Sequence, residues 1–347
     1  MRACAATGED SGFDSSAPSL RRVAVIVPVY NAVSADQSLL ERCLDALVNA
    51  APDSATGKSS TEIDCGIVVV DDGSSDGSAD VAQRIESASG GRIRLVRLER
   101  NLGFAAAVNR GADAALAGDH APDILVLVNQ DCIVSPGWLS PLVCALDDPG
   151  IAVAGATLFD SDGRTLQHAG ARIEANGLTT HLGRGSRDAA RWREDRDVDY
   201  VCGALFALRS RTWRRFGPFD EGYAPAYFEE VDFCAAARRA GLRVVYVAAS
   251  EARHLEASTC GAGSPIFLAR YHRSRMRFVV RHLLTGRASL RWVVAELSWL
   301  AGLRRWSEAA PAVRAYASIP SLVLERMREG ALARRTASAP AVMRTGA

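Results

Sequence analysis

The 347-residue sequence is short of several things, and each shortage removes a class of protein. No run reaches the roughly 18 consecutive apolar residues of a membrane span. Residues 1–20 lack the basic start and apolar core of a signal peptide, so the chain is expected to act on the cytoplasmic side. The eight cysteines, at 4, 43, 65, 132, 144, 202, 234 and 260, form no Cys-x-x-Cys pair. That argues against a zinc knot or disulfide framework and predicts reduced core thiols. No Gly-x-Gly-x-x-Gly follows the first predicted strand and no Gly-x-x-x-x-Gly-Lys-Ser/Thr occurs, which excludes dinucleotide and P-loop cradles built from backbone amides. Lysine is nearly absent, with Lys58 alone among 41 basic residues, a bias of composition rather than of recognition. No basic patch interleaved with aromatics appears in the globular part, so no nucleic-acid partner is expected.

What is present describes a globular protein with 48% hydrophobic residues, 23% charged residues and a net charge of +1. The charge is uneven: from Arg270 onward there are fifteen Arg and four Glu, giving +11 against −10 for the rest. This asymmetry predicts an anionic partner for the C-terminal segment. Residues 292–303 form a twelve-residue, mostly apolar stretch flanked by Arg291, Arg304 and Arg305. It is too short to span a bilayer; it suits either a membrane interface or a helix packed on the protein's own core.

Residues 23–29 are a continuous β-branched run of the kind buried on both faces of a parallel sheet. Helix is predicted over 38–50, strand over 67–70 and 93–98, helix over 104–117 and strand over 124–128. That alternation is the signature of a doubly wound α/β domain. Beyond residue 150 the pieces are shorter, with strands predicted at 151–159, 200–208 and 244–247 and a loop-like stretch at 176–197; from 271 the chain reads as helices. The expected division is a disordered tail over 1–20, a regular α/β half over 21–150, a less regular half of the same domain over 151–270, and a basic helical extension over 271–347.

In open α/β sheets ligands sit beyond the carboxyl ends of the strands. Here those ends are polar: Pro28-Val29-Tyr30-Asn31, then Asp71-Asp72, then Asn129-Gln130-Asp131. Acidic strand ends suit a divalent cation bridging carboxylate and diphosphate. Residues 224–234 add Glu229, Glu230 and Asp232 between aromatic and apolar neighbours. Such carboxylates fit either a helix first turn complementing the macrodipole or a task in catalysis.

Together these segments resemble the family 2 glycosyltransferases of GT-A fold, especially bacterial rhamnosyltransferase-like members. The resemblance covers roughly residues 22–280. It is carried by Val-Ala-Val-Ile-Val-Pro-Val-Tyr-Asn (23–31), Val-Val-Val-Asp-Asp-Gly-Ser-Ser-Asp-Gly-Ser (68–78), Asn-Leu-Gly-Phe-Ala-Ala-Ala-Val-Asn-Arg-Gly (101–111), Leu-Val-Asn-Gln-Asp (127–131), Gly-Ala-Leu-Phe-Ala-Leu-Arg (203–209), Phe-Asp-Glu-Gly-Tyr (219–223), the carboxylate cluster and His-Leu-Glu-Ala-Ser (254–258), in that order.

The resemblance implies a Rossmann-like α/β fold with a mainly parallel mixed sheet and a helical C-terminal extension, in which residues 21–150 bind the nucleotide-sugar and residues 151–270 form the acceptor-binding and catalytic half. It also implies inverting transfer of a sugar from a nucleotide-diphosphate donor, with dTDP-rhamnose as the leading donor and a growing glycan or lipid-linked molecule as acceptor. Donor contacts fall on Pro28, Tyr30, Asn31, Asp71, Asp72, Asn101, Gly103, Asn109, Asn129 and Gln130. Asp131 and His254 match the family's metal residues for Mn²⁺ or Mg²⁺, with Asn129 where a second Asp is usual. The family's base aligns with Glu230, where Glu replaces Asp, supported by Glu229 and with Asp232 as the other candidate. A non-catalytic sugar-binding protein that kept this fold is the competing expectation. A sugar-1-phosphate nucleotidyltransferase would need a Gly-rich loop after the first strand, where this chain has Val-Tyr-Asn-Ala. His168, in Leu-Gln-His-Ala-Gly, has no role legible from the sequence.

Overall fold

The computed structural model describes residues 19–337 apart from 37, 51–60, 119, 256–263 and 304–305. Of the tail expected over 1–20, residues 1–18 lie outside the described set, as do Glu256, Ala257, Ser258, Arg304 and Arg305. Ser19 and Leu20 already belong to the first strand. The described strands are β1 (Ser19–Val29), β2 (Thr61–Asp71), β3 (Ile93–Arg97), β4 (Ile124–Val128), β5 (Cys132–Val134), β6 (Ile151–Phe159), β7 (Leu166–His168), β8 (Ala171–Ile173), β9 (Thr179–His181), β10 (Arg196–Asp197), β11 (Leu205–Arg209) and β12 (Arg243–His254).

The main sheet runs β10-β12-β6-β11-β4-β1-β2-β3, with β5 and β7 adding to β12 and β6, while β8 and β9 form a separate hairpin. It is parallel from β4 to β3 and between β6 and β12, and β11 enters antiparallel to both β4 and β6. Residue alternation within the strands builds two cores. Val23, Val25, Val27 and Val29 of β1, with Ile124, Val126 and Val128 of β4, face one side toward the helices Leu39–Asn49 and Leu139–Ala145. Ala24, Ile26, Leu125 and Leu127 face the other, toward the helices Phe104–Leu116 and Glu229–Arg239. A sheet covered on both faces explains why these strands read as unbroken apolar runs. Each fully buried Val, Leu or Ile contributes roughly 1.5–3 kcal/mol. Pro28 is tolerated in this central strand because the β4 ladder ends at Ile26↔Leu127, before the position where its missing N–H would be needed.

Some boundaries depart from the periodicity. β2 begins at Thr61 rather than 67, because residues 61–66 pair in register with residues 19–24. β11 is confined to Leu205–Arg209, and Tyr200 instead bridges Ala171. β12 runs on to His254 because both β5 and β6 pair with its far end. The loop-like stretch 176–197 contains β9, β10 and a 3₁₀ turn at Ala189–Trp192. Of the described cysteines all are free thiols, and Cys144 is exposed rather than in the core.

The C-terminal region is helical from Pro265, with Ser264 Oγ accepting the N–H of Phe267 and proline at the first helical turn. The helix Pro265–Phe278 passes through a π-helical turn at Val279–Leu283 and is followed by Arg287–Gly302, Trp306–Tyr316 and Ile319–Ala337. The last of these carries the helix past Gly330 to Ala337. Among the described residues no helix is long and apolar enough to cross a membrane.

Several C-terminal arginines are committed internally. Buried Arg275 forms a two-pronged pair with buried Glu296, at 2.6 and 3.0 Å, and the Tyr316 hydroxyl donates to the same carboxylate. Arg277 grips Asp220 at 2.7 and 3.0 Å and Glu325 at 3.0 Å twice, and Arg281 lies 3.1 Å from Asp220 and 3.5 Å from Glu329.

Candidate active site

The chain crosses from β1 through β2 to β3 on one side and returns to β4 on the other side of β1, so the order reverses between β1 and β4. The crevice at the carboxyl ends of these two strands is where ligands bind in such sheets. Gln130 closes it from below: its Oε1 accepts the N–H of Tyr30 at 2.8 Å and its Nε2 donates to the Tyr30 carbonyl at 3.2 Å. The Tyr30 ring is left 37% exposed at the mouth. Asn31, with φ of 47°, donates its N–H to Ser74 Oγ at 3.0 Å and accepts the N–H of Ser75 on Oδ1 at 2.9 Å. The loop after β2 is thereby tied to the end of β1.

Asp71 is buried and accepts the N–H of Ser74 at 3.3 Å. Asp72 spends both oxygens on the next loop, accepting Leu102 N–H at 2.8 Å and Gly103 N–H at 2.9 Å. Burial pushes its carboxyl up, and those two amides pull it back. At Gly73, with φ of 69°, a Cβ would lie 2.5 Å from the Arg100 backbone, so the two loops touch main chain to main chain. Gly103, with φ of 95°, leaves a Cβ only 3.1 Å from the Pro225 carbonyl, and the N–H of Phe104 donates to that carbonyl at 3.1 Å. Only glycine adopts both conformations at no steric cost. Asn101 is exposed beside them.

Asn109, by contrast, has both amide atoms on the Phe219 backbone, donating to its carbonyl at 3.0 Å and accepting its N–H at 2.9 Å, with Glu221 also at 3.1 Å. It braces the 219–221 turn under the helix Phe104–Leu116.

Past β4, Asn129 donates its N–H to Ala204 O at 3.1 Å. Asp131, buried, faces His254 with Oδ1 3.1 Å from Nε2. His254 Nδ1 lies 2.7 Å from Oε1 of buried Gln167, whose Nε2 donates to the His254 carbonyl and to Asp160 Oδ1, both at 3.1 Å. The Gln167 oxygen can only accept, so Nδ1 carries a proton and Nε2 is left toward the carboxylate. Asn129 Nδ2 sits 3.5 Å from the same Nε2, and its buried Oδ1 has no hydrogen-bond partner. A carboxylate oxygen, an imidazole nitrogen and a neighbouring side-chain amide are donor types that suit Mn²⁺ or Mg²⁺. Among the described residues no group of three or more His, Cys, Asp or Glu converges on a metal position.

On the opposite wall, Tyr227 and Phe228 have φ of 84° and 79° just before the helix Glu229–Arg239. Left-handed backbone at two aromatic residues costs about 1–3 kcal/mol each. Their rings are held by Phe267, Tyr271 and Phe278 at centroid distances of 5.1–5.6 Å. The turn sends Glu229 and Asp232 inward and Glu230 toward Gly203, where a Cβ would lie 3.9 Å from the Glu230 Cβ and 3.6 Å from Phe104. Burial pushes the Glu230 carboxyl up to about 7, against hydrogen bonds from the amides of Glu230, Val231 and Gly203. Burial and the neighbouring Glu230 charge raise Glu229 well above the usual carboxylate range, and its Oε1 has no hydrogen-bond partner.

Asp232 is different. It accepts from the Tyr223 hydroxyl at 3.0 Å and Arg281 Nε at 3.2 Å and lies 2.5 Å from His282 Nε2. Burial would raise its carboxyl, yet these partners hold it below the usual value.

The geometry thus gathers Tyr30, the 71–73 and 101–103 loops, Asn129, Asp131, His254 and Glu230 around one crevice; Asn109 and Asp232 face other partners. Sequence reading missed Gln167, which lies 87 residues from His254 with no local signal linking the two. It also left His168 without a role. That buried imidazole accepts the N–H of Cys202 on Nε2 at 3.1 Å and turns Nδ1 to His181 Nδ1 at 3.2 Å. Burial holds His168 well below the ordinary histidine range and brings His181 down to about 4, so both stay neutral.

The fold and this crevice define a GT-A type of α/β protein. The family model described as Glycosyl transferase family 2 matches residues 24–216, more than half of the chain, and the chain belongs to that family. It is 29% identical over 216 residues to an uncharacterised protein of Sinorhizobium fredii, covering 60% of this chain and 23% of that one. It is 31% identical over 160 residues to undecaprenyl-phosphate 4-deoxy-4-formamido-L-arabinose transferase of Edwardsiella ictaluri, covering 46% and 44%. The chain therefore spans less than half the length of these curated relatives. Its fold is similar to that of a mannosyltransferase from Pyrobaculum calidifontis solved with GDP-Man and Mn²⁺, with a TM-score of 0.54 at 19% identity over 93% of this chain and 84% of that one.

Proposed function

We propose that the chain is an inverting glycosyltransferase that moves a sugar from a nucleotide-diphosphate donor to a hydroxyl of a growing glycan or lipid-linked acceptor. The observation that carries this reading is Glu230. A carboxylate whose proton affinity is raised to about 7 suits a general base at neutral pH. It lies against Gly203, whose neighbour Ala204 accepts the N–H of Asn129, the residue beside the Asp131 and His254 pair.

In the proposed reaction Glu230 takes the proton from the acceptor hydroxyl. That oxygen forms the new bond to the sugar's anomeric carbon, and the bond from that carbon to the diphosphate breaks on the opposite face. Tyr30 offers an exposed ring for the base; Asp71, Asn101 and the amide-rich loops beside them border the nucleotide. Asp131, His254 and Asn129 Oδ1 would hold Mn²⁺ or Mg²⁺, which supplies charge neutralisation for the departing diphosphate. Asn109 and Asp232 are left out of donor contact and proton transfer, because their polar atoms are engaged elsewhere. The donor is assigned as dTDP-rhamnose on the resemblance alone. The acceptor side includes a cavity of about 400 Å³ edged by Phe159, Trp192, Tyr246 and three arginines. This reading places the protein in the cytoplasm, at the inner face of the membrane.

A non-catalytic nucleotide-sugar or glycan-binding protein is the second reading, favoured by the small number of metal-ligating side chains. Nucleotide release from UDP-, GDP- and dTDP-sugars with Mn²⁺ or Mg²⁺ separates the two. Release from one donor that is lost in Asp131→Ala and Glu230→Gln supports the transferase. Nucleotide binding without turnover of any donor, even with membrane lipid extract as acceptor, supports the binder.

A further inference from the structure

The helix Arg287–Gly302 turns an apolar stripe to its outer face. Leu290, Val293, Val294 and Leu297, at i, i+3, i+4 and i+7, form one stripe and are 70%, 40%, 57% and 61% exposed. The face turned toward the protein carries Glu296, buried against Arg275, with Trp292 and Trp299 half-buried alongside. A surface helix of a globular protein ordinarily turns charged and polar side chains to the outer face. The outward orientation is fixed by the Arg275–Glu296 pair, the Tyr316 hydroxyl and the Arg275 guanidinium 5.2 Å from the Trp299 ring. The stripe is thus presented outward by a rigid ionic clamp, not left over from loose packing.

The charge beside the stripe selects what it meets. Arg287 and Arg291 are exposed on the same helix, on one flank of the apolar face. Three of the four glutamates from residue 270 onward, Glu296, Glu325 and Glu329, are engaged by Arg275, Arg277 and Arg281. The region's positive surplus is therefore not neutralised by its own acids. An apolar stripe flanked by arginine matches an interface whose surface is anionic and whose interior is hydrocarbon.

We infer that the exposed face of helix Arg287–Gly302 docks on an anionic lipid bilayer, lying in the plane of the interface with Leu290, Val293, Val294 and Leu297 inserted and Arg287 and Arg291 at the headgroups. This deepens the membrane location of the proposed reading by naming the docking surface and the charge of its partner, and it stands or falls apart from turnover, because the readout is lipid binding alone.

The test is co-sedimentation of the full chain with phosphatidylcholine vesicles, with and without phosphatidylglycerol. Wild type is expected to bind the anionic vesicles at least tenfold more tightly than the neutral ones and to be released by high salt. Val294→Glu with Leu297→Glu, and separately Arg287→Glu with Arg291→Glu, should each weaken binding at least tenfold while leaving nucleotide affinity and melting temperature as in wild type. Equal binding to neutral and anionic vesicles, absence of binding, or variants that bind as wild type would overturn the inference. So would a dimer in solution that Val294→Glu with Leu297→Glu dissociates, since the stripe would then cover a second copy.

Discussion

Gln167 Oε1 lies 2.7 Å from His254 Nδ1 and sets which nitrogen of that imidazole faces Asp131. Partners of this kind fix ring orientation and the tautomer of metal-binding histidines, and their loss typically lowers metal affinity about 10–100-fold. Gln167→Leu is expected to weaken Mn²⁺ binding, measured by paramagnetic resonance of free Mn²⁺, by about tenfold or more. Nucleotide affinity measured in chelator should stay put. In ¹⁵N spectra the His254 ring should lose its single tautomer. An unchanged Mn²⁺ affinity would remove Gln167 from the site.

The pH profile should follow Glu230. With its carboxyl raised to about 7, kcat/KM is expected to climb as pH approaches that value and then level off. Glu230→Gln should lower kcat by about a hundredfold or more and abolish the climb. Stability moves the other way. The folded state binds this proton more tightly than an unfolded glutamate with its ordinary value of 4.5, so unfolding free energy falls as pH rises between 4.5 and about 7. Denaturant melts across that window should show less slope in Glu230→Gln.

Asp232 should behave as a tether. Asp232→Asn removes the charge facing Arg281 and His282 and is expected to destabilise the protein by about 3 kcal/mol. The climb in kcat/KM toward pH 7 should survive in the soluble fraction. Because its folded-state value is held below 3.8, its stabilisation is present above that pH and is lost as pH falls through the lowered value. An Asp232→Asn protein of unchanged stability but no activity would instead place this carboxylate in the chemistry.

These two aspartate and glutamate roles mark where sequence reading stops. The strands were legible because Ala24, Val25, Ile26, Val27 and Val29 form a nearly unbroken apolar run, and every one of them is buried. The placement of the polar strand ends followed from the rule that ligands sit beyond the carboxyl ends of the strands in an open α/β sheet. The roles of Asn109, Gln130 and Asp232 were not legible, because their partners are Phe219, Tyr30 and Arg281, and those separations are 110, 100 and 49 residues. A polar residue in a motif looks the same whether it faces a ligand or a backbone amide.

The buried Arg275–Glu296 pair supplies a further test. Arg275→Met leaves the Glu296 carboxylate buried without its cation and should cost about 3–5 kcal/mol, read from urea melts. Arg275→Met with Glu296→Leu should recover much of that loss. A double variant no more stable than the single one would mean that the pair is not what holds the two helices together.

The helix Glu229–Arg239 carries Glu230 toward the crevice and, two residues on, Asp232 onto Arg281 and His282 of the π-helical turn. The C-terminal helices are therefore a buttress for the wall that carries Glu230. A protein cut before residue 265 would keep its sheet and its nucleotide loops, but the aromatic and ionic props behind Tyr227, Phe228 and Asp232 would be gone, and the proposed base would hang from an unsupported turn.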